Sequence, residues 1–178
     1  FKKVYYDEIM QRAVSKFIPA DDLVVPYTAT SLDDAESIIH VVKMSENELR
    51  KQQVGTFYRD IELNPSYATE TESQKKEREL EGTAKGKDER IFTLFECHVN
   101  LDIDGFNDVD AEGLPTGIKL PYVVTIEEGS REVLSIRRNY EIGDPLRKKI
   151  DYFVHFKFLP GLGFYGFGLI HMIGGLSR

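Results

Sequence analysis

Gly161-Leu-Gly163-Phe-Tyr-Gly166 is the segment of this chain whose spacing most invites chemistry. It matches G-x-G-x-x-G, the dinucleotide fingerprint in which glycines let the backbone approach a pyrophosphate. That mechanism requires a βαβ unit, with the pyrophosphate at a helix N-terminus and a carboxylate about twenty residues further on. The run before Gly161 alternates like a strand of an antiparallel sheet, the chain ends before any such carboxylate, and Phe164 and Tyr165 would crowd the phosphates. The expectation is an aromatic turn whose glycines permit positive φ and close packing, with no cofactor implied.

The acidic run from Asp102 to Glu112 invites a calcium reading. Counted from Asp108, the pattern is met by Asp108, Asp110, Glu112 and Gly113, but Lys119 stands where a bidentate Glu is required and Pro115 interrupts. Counting from Asp102 puts Phe106 at a ligand position. A solvated loop joining two strands is the expectation. His40, His98, His155 and His171 form no i, i+4 pair and no Cys–His spacing of a zinc site, and His98 and His155 fall on the polar phases of two strands. Cys97, the one cysteine, lies inside an alternating run and reads as a buried inert thiol, which leaves no internal disulfide and fits a reducing compartment. No G-x-S-x-G elbow is present, and Gly129-Ser-Arg reads as a turn. The residues nominate no catalytic set and no metal site.

Composition bounds the remaining possibilities. A chain of 178 residues suffices for one domain, or one domain with a small lobe. A net charge of −7 argues against a surface that grips nucleic acid through phosphate neutralisation. The local basic residues Arg131, Arg137, Arg138, Arg147, Lys148 and Lys149 read as solvated strand edges or salt bridges, with a partner surface as the alternative. No apolar run reaches the eighteen or so residues of a membrane helix.

The elements that must position these residues follow from periodicity. Tyr5, Ile9, Ala13 and Phe17 at i, i+4 spacing predict a helix over Val4–Phe17, stopped by Pro19. Leu23–Val25 and Ile38–Met44 read as strands, and Ser31–Glu36 is a possible helix start between them. Ser45-Glu-Asn-Glu48 is a capping box that opens a helix over Glu46–Val54, and Gly55 sits where a helix end favours a left-handed residue. Thr69–Arg90 is dense in Glu and Lys and reads as a mobile insertion or a solvated helix. Beyond it, Thr93, Phe95, Cys97, Val99, Leu101 and Ile103 alternate with more polar residues. So do Ile118, Leu120, Tyr122, Val124 and Ile126, then Val133–Arg138 after a tight turn at Glu128-Gly-Ser130, then Ile150, Tyr152, Val154, Phe156 and Phe158. These runs predict an antiparallel meander with one buried face and flanking short helices, an α+β fold. Pro121 cannot donate to a ladder and predicts an edge or a bulge. The chain divides into an N-terminal part (1–68), the charged insertion (69–90), the sheet (91–160) and a glycine–aromatic turn leading into an apolar helix (161–178). Such an apolar final segment predicts a piece of a larger protein.

A longer pattern runs through these elements. It comprises Gly105-Phe-Asn-Asp, Gly113-Leu-Pro-Thr-Gly-Ile-Lys-Leu-Pro-Tyr-Val-Val-Thr-Ile126, Val133-Leu-Ser-Ile-Arg-Arg-Asn-Tyr140, Gly143-Asp-Pro145, Tyr152-Phe-Val-His-Phe156 and Leu159-Pro-Gly-Leu-Gly-Phe-Tyr-Gly-Phe-Gly168. In order and spacing it resembles the portal proteins of short-tailed, podovirus-type bacteriophages. Met44-Ser-Glu-Asn-Glu-Leu-Arg50 and Gly55-Thr-Phe-Tyr58 resemble that family's upstream pattern, while the charged insertion has no counterpart.

The resemblance implies a structural role: a subunit of a dodecameric ring at one capsid vertex, the channel for DNA packaging and ejection. Its implied partners are copies of itself, the terminase, capsid or scaffolding proteins, and head-completion or tail proteins. DNA would pass without sequence-specific binding and no membrane is involved. The implied location is the virion, and the host cytoplasm during assembly. By the same resemblance the chain looks like mostly the outward-projecting wing, with the stem, clip and crown regions largely missing, which leaves ring formation and terminase docking by the fragment itself open, so a monomeric or weakly associated chain is expected. Phe164, Tyr165 and Phe167, with Gly161, Gly163 and Gly166, are the candidate contacts, packing the sheet against a following helix or a neighbouring subunit, or else forming ordinary core. An unrelated adaptor or scaffold module of a prophage or host is the alternative, with an enzyme as a third class.

Overall fold

The computed structural model describes residues 1–7, 11–63, 76, 79–80, 91–161 and 163–174, so most of the charged stretch 69–90 lies outside the described residues. The fold is α+β, with two antiparallel sheets. Where a helix was expected over Val4–Phe17, the chain forms a hairpin of β1 (Lys2–Asp7) and β2 (Arg12–Phe17). The i, i+4 apolar spacing was outweighed by Val4, Tyr5, Tyr6 and Val14, β-branched and aromatic residues that suit a half-covered pleated surface. The register sets Lys2 opposite Phe17 and Asp7 opposite Arg12, an opposite-charge cross-strand pair near the turn.

The run 150–158 also departs from expectation. Only Phe153–Val154 forms a strand, β8, and it pairs with β1 in the order β2-β1-β8 instead of extending the meander. Two backbone bonds explain the diversion. The Val4 N–H donates to the Tyr152 carbonyl at 2.7 Å, and the Ile150 N–H donates to the Asn139 carbonyl at 3.0 Å.

The larger sheet has the order β3-β4-β5-β6-β7. Its strands are β3 (Leu23–Val24), β4 (Ser37–Ser45), β5 (Ile91–Leu101), β6 (Leu120–Glu127) and β7 (Val133–Arg138). The expectation of one buried face fails at its centre. On β5 the buried residues include Phe92, Leu94 and His98, the phase expected to be polar, while Phe95, Cys97 and Val99 are half-buried. On β6, Leu120, Tyr122 and Val124 are buried, and so are Pro121, Thr125 and Glu127 on the alternate phase. Side chains of both phases are thus largely withdrawn from water along β6, which a one-sided pattern cannot report.

Pro121 therefore lies in an inner strand, against expectation. The Asn139 N–H donates to its carbonyl at 2.9 Å, and the Asn139 carbonyl, which a donor at position 121 would otherwise engage, accepts from Ile150. The missing N–H thus falls where the β6–β7 ladder ends and costs no partner. The tight turn that follows β6 is as expected, held by the buried Glu127 carboxylate, which accepts from the N–H groups of Gly129 (2.9 Å) and Ser130 (2.6 Å) and from the Ser130 hydroxyl.

Helix α1 (Glu46–Val54) opens with the expected capping box: Ser45 Oγ accepts from the Glu48 N–H and the Glu48 carboxylate accepts from the Ser45 N–H, both at 3.3 Å. Its C-terminus differs from the reading. Gly55 has φ −73° and the left-handed residue is Thr56, at φ 59°. Glycine is favoured at 55 for space instead, because a Cβ there would lie 3.1 Å from the Lys51 carbonyl oxygen. Ser31–Glu36 is a turn and not a helix start.

The chain forms two compact units. One comprises Phe1–His40, Cys97–Val123 and Arg137–Arg178, with a core of Ile18, Leu23, Ala29, Ala35, Ile38, Phe153 and Phe164. The other comprises Val41–Glu96 and Val124–Ile136, with a core of Leu49, Tyr58, Phe92, Leu94 and Leu134. In the second unit, buried Gln53 donates to the Ile61 carbonyl at 2.8 Å and the Arg59 N–H donates to the Leu134 carbonyl at 2.8 Å, pinning the loop after α1. Truncating the fully buried Leu94 to Ala should lower unfolding stability by about 2–5 kcal/mol, and Ser45→Ala should lower it by about 1 kcal/mol through the lost cap. Urea denaturation of both variants checks this. A Leu94→Ala loss no larger than the cap's would mean the second core does not close on that residue.

Candidate functional site: the glycine–aromatic corner

The corner is a short loop closed by an antiparallel bridge between Leu159 and Phe167, with the Phe167 N–H donating to the Leu159 carbonyl at 3.0 Å. Its glycines have distinct physical reasons. A Cβ at Gly166 would stand 2.6 Å from the Leu159 carbonyl oxygen, and one at Gly161 would stand 2.9 Å from the Phe167 ring. Gly163 has φ +107°, a conformation that favours glycine. The space a nucleotide phosphate would need beside Gly161 and Gly166 is thus filled by the corner's own atoms.

The three aromatic residues separate. Phe164 is buried in the first core, its ring stacked at 5.6 Å on Phe1 and 4.8 Å from His155. Tyr165 packs edge-on to Phe164 and donates its hydroxyl to the Leu23 carbonyl at 2.9 Å, and burial pushes its phenol pKa up. Phe167 covers Gly161 yet remains half exposed. Phe164 is therefore internal core, whereas Tyr165 and Phe167 are about half exposed. After them α2 (Leu169–Ile173) begins, where an apolar helix was expected.

Lys157 ties the corner to the loop opposite, its ammonium donating to the carbonyls of Thr30 (3.2 Å) and Gly163 (3.5 Å). That loop is organised by Asp34, whose carboxylate accepts from the Thr30 hydroxyl (2.5 Å), the Ser31 N–H (2.8 Å) and the Thr30 N–H (3.1 Å). These bonds lower its pKa from 3.8 to about 2. Between the loop and β8 lies a half-open groove of about 410 Å³, lined by Leu32, Ile38 and Phe153 together with Asp33, Asp151, His155 and Lys157. Burial, then the Lys157 charge, lowers the His155 pKa, so this histidine is neutral at physiological pH. Sequence reading missed the groove because its two walls are more than a hundred residues apart. The Ser31-x-x-Asp34 spacing was the one local signal for its loop.

The other sequence candidates are engaged elsewhere. In the acidic loop, Asp108 pairs with Arg147 and accepts from the Thr116 hydroxyl at 2.6 Å, and Asp110 accepts from the N–H groups of Glu112 and Leu114. Asp102, Asp108 and Asp110 thus each have a donor, and no group of three His, Cys, Asp or Glu that could hold a metal occurs among the described residues. His98 is buried, not polar-facing, with its ring 4.9 Å from Phe153 and 5.6 Å from Tyr152. Cys97 is half-buried. Of the basic residues, Arg147 and Lys149 form ion pairs, the latter with Asp151 at 3.3 Å. No helix among the described residues is long and apolar enough to cross a membrane.

No protein-family model matches the chain, and no curated protein matches it.

Two outcomes test this geometry. Gly166→Ala should disrupt the corner and destabilise the first unit by about 1–3 kcal/mol, as overpacking against backbone does, whereas Gly105→Ala, with open space, meets only its positive φ. The depressed Asp34 pKa means its contribution to loop order is complete above pH 4 and is lost as pH falls through about 2. A carboxyl NMR titration of Asp34 with a midpoint near 4 would contradict that assignment.

Proposed function

We propose that this chain is a wing-type part of a phage portal subunit, a non-enzymatic structural component of the ring through which DNA enters and leaves the capsid. The resemblance in order and spacing from Gly105 to Gly168 supports this reading. The observation in the structure that carries a partner-binding role is the exposed apolar run from β8 into α2. Val154, Phe156, Phe158, Phe167, Leu169, Met172 and Ile173 are all exposed within twenty residues, Phe156 and Phe158 by about two-thirds. A concentration of exposed apolar side chains marks an interaction surface. In this reading it is covered by a neighbouring subunit or by further elements of the parent protein.

The buried Phe164 then anchors the corner, and the half-exposed Tyr165 and Phe167 face the partner. The partners that follow are other copies of the subunit, capsid or scaffolding proteins, the terminase, and head-completion or tail proteins, with the virion as the location. The net charge of −7 suits a component that does not clamp passing DNA.

Electron microscopy of the full-length protein tests the reading, since rings with a central channel are expected and particles that never close into a ring refute it. Phe164→Ala should lower subunit stability by about 3–5 kcal/mol. Phe167→Ala should instead weaken ring assembly with a smaller effect on the subunit, read by melting temperature against particle counts.

A further inference from the structure

We propose that copies of this chain associate head to tail by strand addition, the outer edge of β2 in one copy entering the groove along the outer edge of β8 in the next. This deepens the portal reading by naming how two subunits meet, and rests on it only for closure into a ring.

The backbone defines both edges. Phe1 and Ile18 exchange both their hydrogen bonds, at 3.2 and 3.0 Å. In an antiparallel pair that alternation turns residues 12, 14 and 16 of β2 toward β1, so the N–H and C=O groups of Ala13, Ser15 and Phe17 point outward. On the other side, the Val4 bond to Tyr152 turns Tyr152 and Val154 toward β1, so the backbone groups of Phe153 and His155 point to the groove. β2 and β8 are the two ends of one sheet, and both run antiparallel to β1, hence parallel to each other. A second copy laid in line continues the sheet through a parallel junction. Such a contact is heterologous, the kind that generates rings.

Side chains on both faces agree with that junction. Phe17, Lys2 and Val154 share one cross-strand row, and Phe156 follows Val154 on the same face, where Lys2 lies over its ring. Phe17 is 75% exposed at one margin and Phe156 67% exposed at the other, so joining two copies brings the two apolar margins together. On the opposite face β2 presents Arg12, Val14 and Lys16, while the groove presents Asp33, and Asp151 paired with Lys149, beside Ile38 and Phe153. Basic-apolar-basic thus meets a carboxylate-flanked apolar recess. Lys157, the groove's own cation, is held by the carbonyls of Thr30 and Gly163. The six residues of β2 span about 20 Å. Lys16 guards the edge against indiscriminate pairing, as edge lysines do, and suits a partner that supplies a carboxylate.

Disulfide trapping tests the junction. In a Cys97→Ser background, chains carrying Ser15→Cys are mixed with chains carrying Val154→Cys and oxidised with diamide. The mixed sample should cross-link at least about tenfold faster than either chain alone, since in either chain alone the junction sets each introduced cysteine against a residue without a thiol. Ala13→Pro in the Ser15→Cys chain removes an outward N–H and leaves every donor to β1 in place. It should suppress the cross-link with an unchanged circular dichroism spectrum. Should that variant unfold, Lys16→Glu serves instead: it should slow cross-linking, and Asp33→Lys in the partner chain should restore it. Equal rates in mixed and single samples, or charge reversal without rescue, overturn the proposal. Rings of the full-length protein without the mixed cross-link would sink this junction and leave the portal reading standing, and cross-linking by a parent that forms no ring would do the reverse.

Discussion

The hydrogen-bonding alternation of β1 is the constraint on which the small sheet and its surroundings depend. Its odd residues bond to β2, and Lys2 and Val4 face Val154 and Tyr152 on the other side, so both edges of its first half are occupied. That occupation fixes the orientation of every neighbouring side chain. It turns Phe153 inward to meet His98 and His40 at 4.9 and 5.9 Å, and leaves Val154 and Phe156 outward. Among the described residues, no further strand pairs with the outer edge of β2 or of β8. A one-residue slip of β8 would exchange its faces, exposing Phe153 and driving Val154 into the core.

The corner works as a fastener for that arrangement. Phe164 is the only corner aromatic that enters the core, and it does so between Phe1, at the start of β1, and His155, just after β8. Tyr165 then reaches the Leu23 carbonyl and Lys157 reaches Thr30, so the corner holds strand ends from both sheets of the first unit. The glycines are required because the loop closes on its own backbone, at the Leu159 carbonyl, with no room for a Cβ. A motif that resembles a phosphate cradle in one dimension is in three dimensions a packed knot.

Much of this was legible in the sequence where the signal was local. The capping box at Ser45, the strands β4 to β7, the turn after Glu127 and the glycine–aromatic turn each follow from a few adjacent residues. The failures came where distant partners decide. Tyr5, Ala13 and Phe17 fit a helical stripe, but pairing with β8, about 150 residues away, favours the strand. Alternation could not say that both phases of β6 are buried, because Thr125 and Glu127 find their cover through the fold and not through hydrophobicity. Gly55 signalled a helix end correctly yet for a steric reason, with the left-handed residue one position later. The groove was invisible for the same cause, being made by residues 31–38 and 151–157, which meet only after folding.

Electrostatics bear on the proposed head-to-tail junction. At a net charge of −7, two copies repel on average, which suppresses association in arbitrary orientations. The small sheet departs from that average, with Lys2, Lys3, Arg12 and Lys16 against Asp7 in β1 and β2. A locally basic strand edge on an acidic body favours encounters that bring it to carboxylates, and disfavours pairing of β2 with β2. Like-charge repulsion at identical edges thus discriminates against the two-fold contact, which would end assembly at a dimer, while leaving the directional contact available. In the proposed junction the exposed apolar margins at Phe17 and Phe156 would add a contact that repulsion between distant charges, screened beyond about 10 Å in salt, does not cancel.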